Sequence, residues 1–118
     1  MPPEAIVGKG LSLGHFGSGV TVHPNVSIGD NVRIWHRVTL AVSDRPGSAT
    51  RLCIGDGVTI GAGAVVVTPF RTGLTVGQGA IIGANAVVTK DVPAGAVVVG
   101  NPAVVKHFVG EGTSDQYR

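Results

Sequence analysis

The sequence predicts an all-β parallel solenoid closed by a short C-terminal cap, and three observations carry that reading. A six-residue beat recurs in Ile28-Gly29-Asp30-Asn31-Val32-Arg33, Ile54-Gly55-Asp56-Gly57-Val58-Thr59, Ile60-Gly61-Ala62-Gly63-Ala64-Val65 and Ile82-Gly83-Ala84-Asn85-Ala86-Val87. Nineteen Gly against three Phe, one Trp and one Tyr describe a core of Val, Ile and Ala, which suits stacked short strands and tight corners. Helical period cannot produce the beat, because every sixth residue drifts around a helix and the intervening glycines would destabilise one.

The opening positions of the hexads run Val7, Leu13, Val22, Ile28, Ile34, Leu40, Ile54, Ile60, Val66, Val76, Ile82, Val88 and Ala94. Residues one and five of each hexad point inward, and a corner of Gly, Asp or Asn separates successive strands. Three hexads make a triangular coil, so about thirteen units give four to five coils that pair as parallel strands and bury the aliphatic ladder.

Three intervals break the beat. Leu13 to Val22 is nine residues instead of six and surrounds His15. Leu40 to Ile54 is fourteen instead of twelve, across Ser43-Asp44-Arg45-Pro46-Gly47-Ser48. Val66 to Val76 is ten instead of six, across Thr68-Pro69-Phe70-Arg71-Thr72-Gly73. Extra residues in a solenoid leave as loops, and loops on a rigid scaffold carry binding groups. Phe70 falls on an inward position and reads as core filling.

After Val92-Pro93 the beat fades into Val97-Val98-Val99-Gly100-Asn101-Pro102-Ala103-Val104-Val105-Lys106, which reads as the chain leaving the last coil to cap it with a short helix. Residues 1–109 form one domain, and 110–118 read as a flexible polar tail.

With 14% charged residues, much of the apolar surface calls for a partner subunit, and the lone Trp35 is assigned to such an interface. The net charge of +2 comes from scattered Lys and Arg, which argues against nucleic acid and suits a polyanionic small ligand. The single Cys53 excludes an internal disulfide and fits a reducing cytoplasm. No charged-then-apolar leader opens the chain and no apolar run of about 20 residues offers a membrane span, so a cytoplasmic protein is expected.

Three segments resemble the hexapeptide-repeat acyltransferases, most nearly the catalytic part of serine O-acetyltransferases. Gly8-Lys9-Gly10-Leu11-Ser12-Leu13-Gly14-His15-Phe16-Gly17 is similar to that family's catalytic His segment. Val32-Arg33-Ile34-Trp35-His36-Arg37-Val38-Thr39-Leu40 is similar to its following coil, and Val99-Gly100-Asn101-Pro102-Ala103 to the Gly-x-Pro-Ala signature that closes the coenzyme A site. The resemblance spans residues 5–107 and implies a left-handed parallel β-helix, a homotrimer with active sites between subunits, and an acetyl-CoA-dependent O-acetyltransferase acting on serine or a sugar.

It also implies roles. An alcohol needs a base as its oxygen attacks, and an imidazole, with an ordinary pKa near about 6.5, suits that task. His15 takes the position of the general base. Ala62 and Ala84 match corners along which the pantetheine arm lies, Gly100 and Pro102 belong to the closing signature, and Lys106, with Arg71 as a second choice, would pair with the coenzyme's phosphates. Arg51 and Arg45 are candidates for the acceptor's carboxylate, and His36, in an outward corner one coil from His15, for contact with the acceptor. His23 and His107 read as structural or exposed. No metal is called for.

Departures from the family pattern accompany these roles. Gly14 stands where the family has an acid before its His, Arg51 where it has a second His, and Ala41-Val42 where it has Gly-Gly. Glu4 is the only acid before His15. Two other readings compete: a scaffold that binds coenzyme A without turnover, and a β-helical carbonic-anhydrase-like hydrolyase. The latter needs three converging imidazoles, and His15, His23, His36 and His107 lack a close pair in sequence.

Overall fold

The structure, a computed structural model, describes residues 1–110. Residues 111–118, which the sequence assigns with Gly110 to a tail, lie outside the described residues. Among the described residues fourteen strands of two to five residues form three sheets, parallel but for the last strand, that wrap a left-handed solenoid of about four turns.

The first sheet joins β1 (Ile6–Val7), β4 (Val26–Ile28), β7 (Leu52–Ile54) and β10 (Leu74–Val76). The second joins β2 (Ser12–Leu13), β5 (Arg33–Ile34), β8 (Thr59–Ile60), β11 (Ile81–Ile82) and β13 (Ala96–Val99). The third joins β3 (Thr21–Val22), β6 (Thr39–Ala41), β9 (Val65–Val67) and β12 (Val87–Val88). The last strand, β14 (Val104–Phe108), turns back and pairs antiparallel with β13. The cap is therefore this strand and not the expected helix. Its β-branched Val104-Val105 start favours extended backbone, and β13 offers a free row of amides and carbonyls to pair with.

The register follows the aliphatic ladder. Leu13 pairs with Ile34, Ile34 with Ile60, and Ile60 with Ile82 on the second sheet, while Val22, Leu40, Val66 and Val88 stack on the third. The fifth positions Val32, Val38, Val58, Ala64, Ala80 and Ala86 are likewise fully buried. The close of the ladder differs from the sequence reading, because Val92 bridges Val76 and Val98 pairs with Ile82, so Ala94 is a corner residue and not a core position. Val88 to Val92 is a short corner, and the hexad count slips by two there.

The pairings also resize one interruption. Leu40 and Ile54 lie on adjacent sheets, so the segment between them replaces a single six-residue step, and the loop at 42–51 is correspondingly larger than the expected two-residue excess. Phe70 leaves the core altogether. It is 73% exposed, with the Arg71 guanidinium 5.0 Å from its ring centre, because the loop at 68–73 lifts out of the coil and the hexad rule no longer places its side chains.

Each coil closes at left-handed corner positions, such as Asn31, Gly57, Gly63, Gly79 and Asn85, which is why Gly and Asn punctuate the beat. Ile60 sits fully buried between Ile34 and Ile82 in the middle of the stack. Ile60→Ala is expected to destabilise the fold by about 2–5 kcal/mol in urea unfolding, as a cavity there has no loop to collapse into. An unchanged midpoint would contradict the ladder.

Candidate active site

Three corner columns run along the solenoid, and their residue types differ. Between the first and second sheets an aspartate edge stacks Asp30 on Asp56: Lys9 N–H donates to Asp30 Oδ1 at 3.0 Å and Asp30 N–H to Asp56 Oδ1 at 2.7 Å. Between the third and first sheets a loop edge carries the segments 42–51 and 68–73. Between the second and third sheets lies a histidine edge. It begins with the Gly14–Gly17 turn and continues through Trp35-His36-Arg37, Gly61-Ala62-Gly63 and Gly83-Ala84-Asn85 to Gly100.

The three residues by which the first coil exceeds the beat are accommodated at the four-residue Gly14–Gly17 turn. His15 and Phe16 both adopt left-handed backbone there, with φ of 48° and 59°. Such conformations cost a residue with a side chain about 1–2 kcal/mol, and the turn holds them so that both side chains project outward. His15 is exposed, and Phe16 is fully exposed.

The pairing of Leu13 with Ile34 sets His36 directly beside this turn. The His15 and His36 rings meet edge to face, with centres 4.6 Å apart and planes at 79°. Trp35 is 6.2 Å from His15 and 37% exposed, so its ring belongs to the wall of the histidine site as well as to any interface. His36 is half-buried, not the free surface residue its corner position suggests, and its Nδ1 is buried with no hydrogen-bond partner. The His15 side chain makes no hydrogen bond or ion pair among the described residues; its carbonyl accepts from Ser18 N–H at 3.2 Å, and only ring contacts position the imidazole.

The place of Gly14 explains the missing acid. A Cβ at position 14 would be driven into the six-membered ring of Trp35, so glycine here and tryptophan there are a matched pair. Gly14→Asp is expected to cost about 1–3 kcal/mol from overpacking, read by urea unfolding together with a shift in Trp35 fluorescence. An unchanged spectrum and midpoint would show that Trp35 is not pressed against residue 14.

The coils of the edge are tied by backbone bonds: Arg37 N–H to Ser18 C=O at 2.8 Å, Gly63 N–H to His36 C=O at 3.0 Å and Asn85 N–H to Ala62 C=O at 2.9 Å. Ala62, half-buried, and Ala84, exposed, thus lie in line with the histidines, with nothing larger than a methyl group projecting from Gly61 to Gly63. At the far end Val87 N–H donates to Gly100 C=O, which brings Gly100, Asn101 and Pro102 onto the same edge. Lys106 lies beyond, on exposed β14. A separate hollow of about 240 Å³ between last coil and cap is lined by Val88, Lys90, Asp91, Val98 and Val104.

Arg51 is not brought to His15 within one chain. It sits on the loop edge, where its Nε donates to Ser27 Oγ at 3.1 Å and its Nη2 is buried without a partner. Arg45 and Arg71 occupy the same edge. Among the described residues no three His, Cys, Asp or Glu side chains converge as a metal site. His23 is structural as expected, its Nδ1 accepting from Asn25 N–H at 3.0 Å.

Sequence reasoning missed Asn25, the clamp of the large loop. Almost wholly buried, it donates from Nδ2 to Arg45 C=O and Ser48 Oγ, both at 3.1 Å, and accepts at Oδ1 from Gly47 N–H at 2.8 Å. Ser43 N–H donates to Thr68 Oγ1 and Arg71 N–H to Ser43 C=O, so the two loops form one arm. The Thr50 hydroxyl, 2.7 Å from Asp44, and then the Arg45 amide hold the Asp44 carboxyl below the ordinary carboxylate range.

No family model matches the chain. It is 46% identical over 101 residues to probable serine acetyltransferase 5 of Oryza sativa subsp. japonica, covering 86% of this chain and 28% of that protein. Serine acetyltransferase of Brucella abortus strain S19, solved in complex with coenzyme A, superposes with a TM-score of 0.82 at 37% identity, covering 92% of this chain and 41% of that one. Soybean serine acetyltransferase, solved with serine, gives 0.78 at 43% identity, covering 87% and 40%. The chain spans less than half the length of each of these proteins. With its β-helix and the ordered motifs along one edge, the chain belongs to the hexapeptide-repeat acyltransferase superfamily, and serine acetyltransferases are the members it resembles.

Proposed function

We propose that the chain transfers an acetyl group from acetyl-CoA to the hydroxyl of a small acceptor, with His15 as general base. The observation that carries this reading is the alignment of His15, His36, Ala62, Ala84 and Gly100 along one edge of the solenoid. The smooth Gly-Ala corners leave a track for the thin pantetheine arm, and the track ends at an exposed imidazole with no competing hydrogen bond. The Brucella neighbour solved with coenzyme A supports the choice of donor, and the soybean neighbour solved with serine makes serine, beside sugars, an acceptor to assay first.

In this reaction His15 takes the proton from the acceptor hydroxyl as its oxygen forms the new C–O bond to the acetyl carbonyl carbon. The resulting oxyanion needs an N–H donor. When it collapses, the C–S bond breaks and the imidazolium returns its proton to the leaving thiolate. No covalent enzyme intermediate is required, and Cys53, half-buried on β7 beside Ser27 and Thr75, takes no part.

We further infer a homotrimer in which the loop edge of one copy meets the histidine edge of the next. Phe16 and Trp35 on one edge and Phe70 on the other expose aromatic surface that a threefold contact would cover, and the orphaned Arg51 Nη2 would gain a partner. That contact would also carry Arg51 and Arg45 toward His15. Thiol release from acetyl-CoA, measured with serine, homoserine and sugars, tests the activity, and analytical ultracentrifugation tests the assembly. Coenzyme A binding without turnover of any acceptor would favour the scaffold reading instead.

A further inference from the structure

We propose that the acceptor is a small anionic alcohol, of which a hydroxycarboxylic acid is the simplest, with no ammonium group beside the hydroxyl. This rests on the acetyl-transfer reading and adds to it the charge of the acceptor.

The first observation is where charge lies. The histidine edge, through residues 14–20, 35–37, 61–63, 83–85 and 100–103, holds one formally charged side chain, Arg37, and no carboxylate. Every aspartate among the described residues sits on another edge and is engaged by backbone amides. Asp30 receives Lys9 N–H, Asp56 receives Asp30 N–H, Asp44 receives Arg45 N–H and the Thr50 hydroxyl, and Asp91 receives Thr75 N–H at 2.8 Å. Glu4 precedes β1, away from the histidines. An acceptor ammonium drawn against His15 would lose water and meet no counter-charge, and such a group is costly to bury. A neighbouring copy's loop edge does not reverse the sign, since it brings Arg45, Arg51 and Arg71 alongside aspartates already engaged.

The second observation is the backbone of Arg37. It adopts left-handed φ of 58°, at the corner position where the next two coils place Gly63 and Asn85. Glycine would hold that corner without the side-chain penalty of about 1–2 kcal/mol. The Arg37 stem packs over Gly19, 3.2 Å from where a Cβ there would stand, on the far side of the turn that carries His15. Arg37 directly follows His36, whose ring meets that of His15, and a guanidinium carried from this corner is suited to a carboxylate or phosphate. The third is Trp35, which takes the space that a carboxylate at position 14 would need.

The test compares matched acceptors in acetyl-CoA thiol release by the whole chain: L-serine, glycerate, ethanolamine, glycerol and glycerol phosphate. Glycerate replaces the ammonium of serine by a hydroxyl, and ethanolamine lacks the carboxylate. The expected result is kcat/KM for glycerate above that for serine and about tenfold or more above ethanolamine and glycerol, as one charged hydrogen bond implies. Glycerol phosphate exceeding glycerate would assign the anion as phosphate. Arg37→Gln, which keeps the stem and the corner, should raise KM for the anionic acceptor about tenfold, change kcat little and leave glycerol unaffected. Serine or ethanolamine exceeding glycerate would overturn the inference while leaving acetyl transfer intact, as would an Arg37→Gln loss equal for all acceptors. Thiol release with none of them would take down the acetyl-transfer reading itself.

Discussion

His15→Ala is expected to lower kcat/KM for acetyl-CoA-dependent thiol release by about 10²–10⁴-fold, the usual contribution of a positioned general base. The binding of coenzyme A should change little, because Ala62, Ala84 and Gly100 lie in other coils and are held by backbone bonds that His15 does not touch. Stability should also hold. His15 is exposed and its side chain makes no hydrogen bond, and alanine keeps both the Cβ and the backbone bond from Ser18 N–H to residue 15 C=O. A variant with parental turnover would sink the assignment, whereas a variant that unfolds would show that the ring contacts with Trp35 and His36 hold the turn together. His36→Phe keeps an aromatic ring beside His15 and separates those two roles. It should retain stability while losing whatever the buried Nδ1 contributes to turnover.

Asn25→Ala is expected to be the most damaging single change outside the aliphatic ladder. Three side-chain hydrogen bonds disappear: the Gly47 amide loses its partner, while the Arg45 carbonyl keeps Ser48 N–H and the Ser48 hydroxyl keeps Thr50 N–H. At about 0.5–1.5 kcal/mol each, with a further penalty for the unsatisfied amide, a loss of about 2–4 kcal/mol follows. It should appear as a lower urea midpoint and as new proteolytic cleavage between residues 44 and 49. Asn25→Asp, which keeps the acceptor for Gly47 but loses both donors, should fall between parent and alanine. An unchanged midpoint and cleavage pattern would show that the loop is held some other way. Asp44 adds a pH dependence to the same loop. Its carboxyl titrates lower in the fold than in the unfolded chain, so its support is fully present above the ordinary Asp range of about 3.9 and fades as pH falls through the lowered value. Cleavage of the loop should therefore increase on acidification in that window, and Thr50→Val, which removes the largest contribution and leaves the Arg45 amide, should weaken the dependence.

Much of the fold is legible in the sequence because a solenoid repeats one physical solution. Once Ile28, Ile34 and Leu40 define three faces, every later Ile and Val is constrained to stack on one of them. Legibility ends where the period ends. Counting in sixes from Val88 lands on Ala94, while the short corner brings the chain back to the first face two residues early, at Val92, which only the pairing with Val76 reveals. Counting through the lifted loop put Phe70 inward, although loop residues obey no period. The cap became a strand because β13 presented an open edge, a tertiary opportunity that helix and strand propensities do not encode.

The site divides in the same way. His15 was marked by the broken interval and by the resemblance, and the in-line placement of Ala62 and Ala84 follows from register. The approach of His36 to His15 needed the extra residues of the first coil to be placed in the turn itself. Asn25 gives a faint signal, a buried-type polar residue in the corner beneath the longest loop, but its partners lie twenty or more residues away and no local rule selects them. Trp35 was assigned to an interface for its apolar cost; its contact with Gly14 ties it also to the chemistry of the histidine turn.

Acetyl transfer by His15 requires that donor and base share the histidine edge. Amide hydrogen exchange with and without saturating coenzyme A tests this most directly, on the parent and on Ala84→Arg, whose side chain would obstruct the track at an exposed corner. The predicted result is new protection concentrated at residues 61–63, 83–85 and 99–103, lost in Ala84→Arg while the ladder stays protected. Protection confined to the aspartate edge at 29–31, 55–57 and 77–79, or coenzyme A binding indifferent to Ala84→Arg, would contradict it.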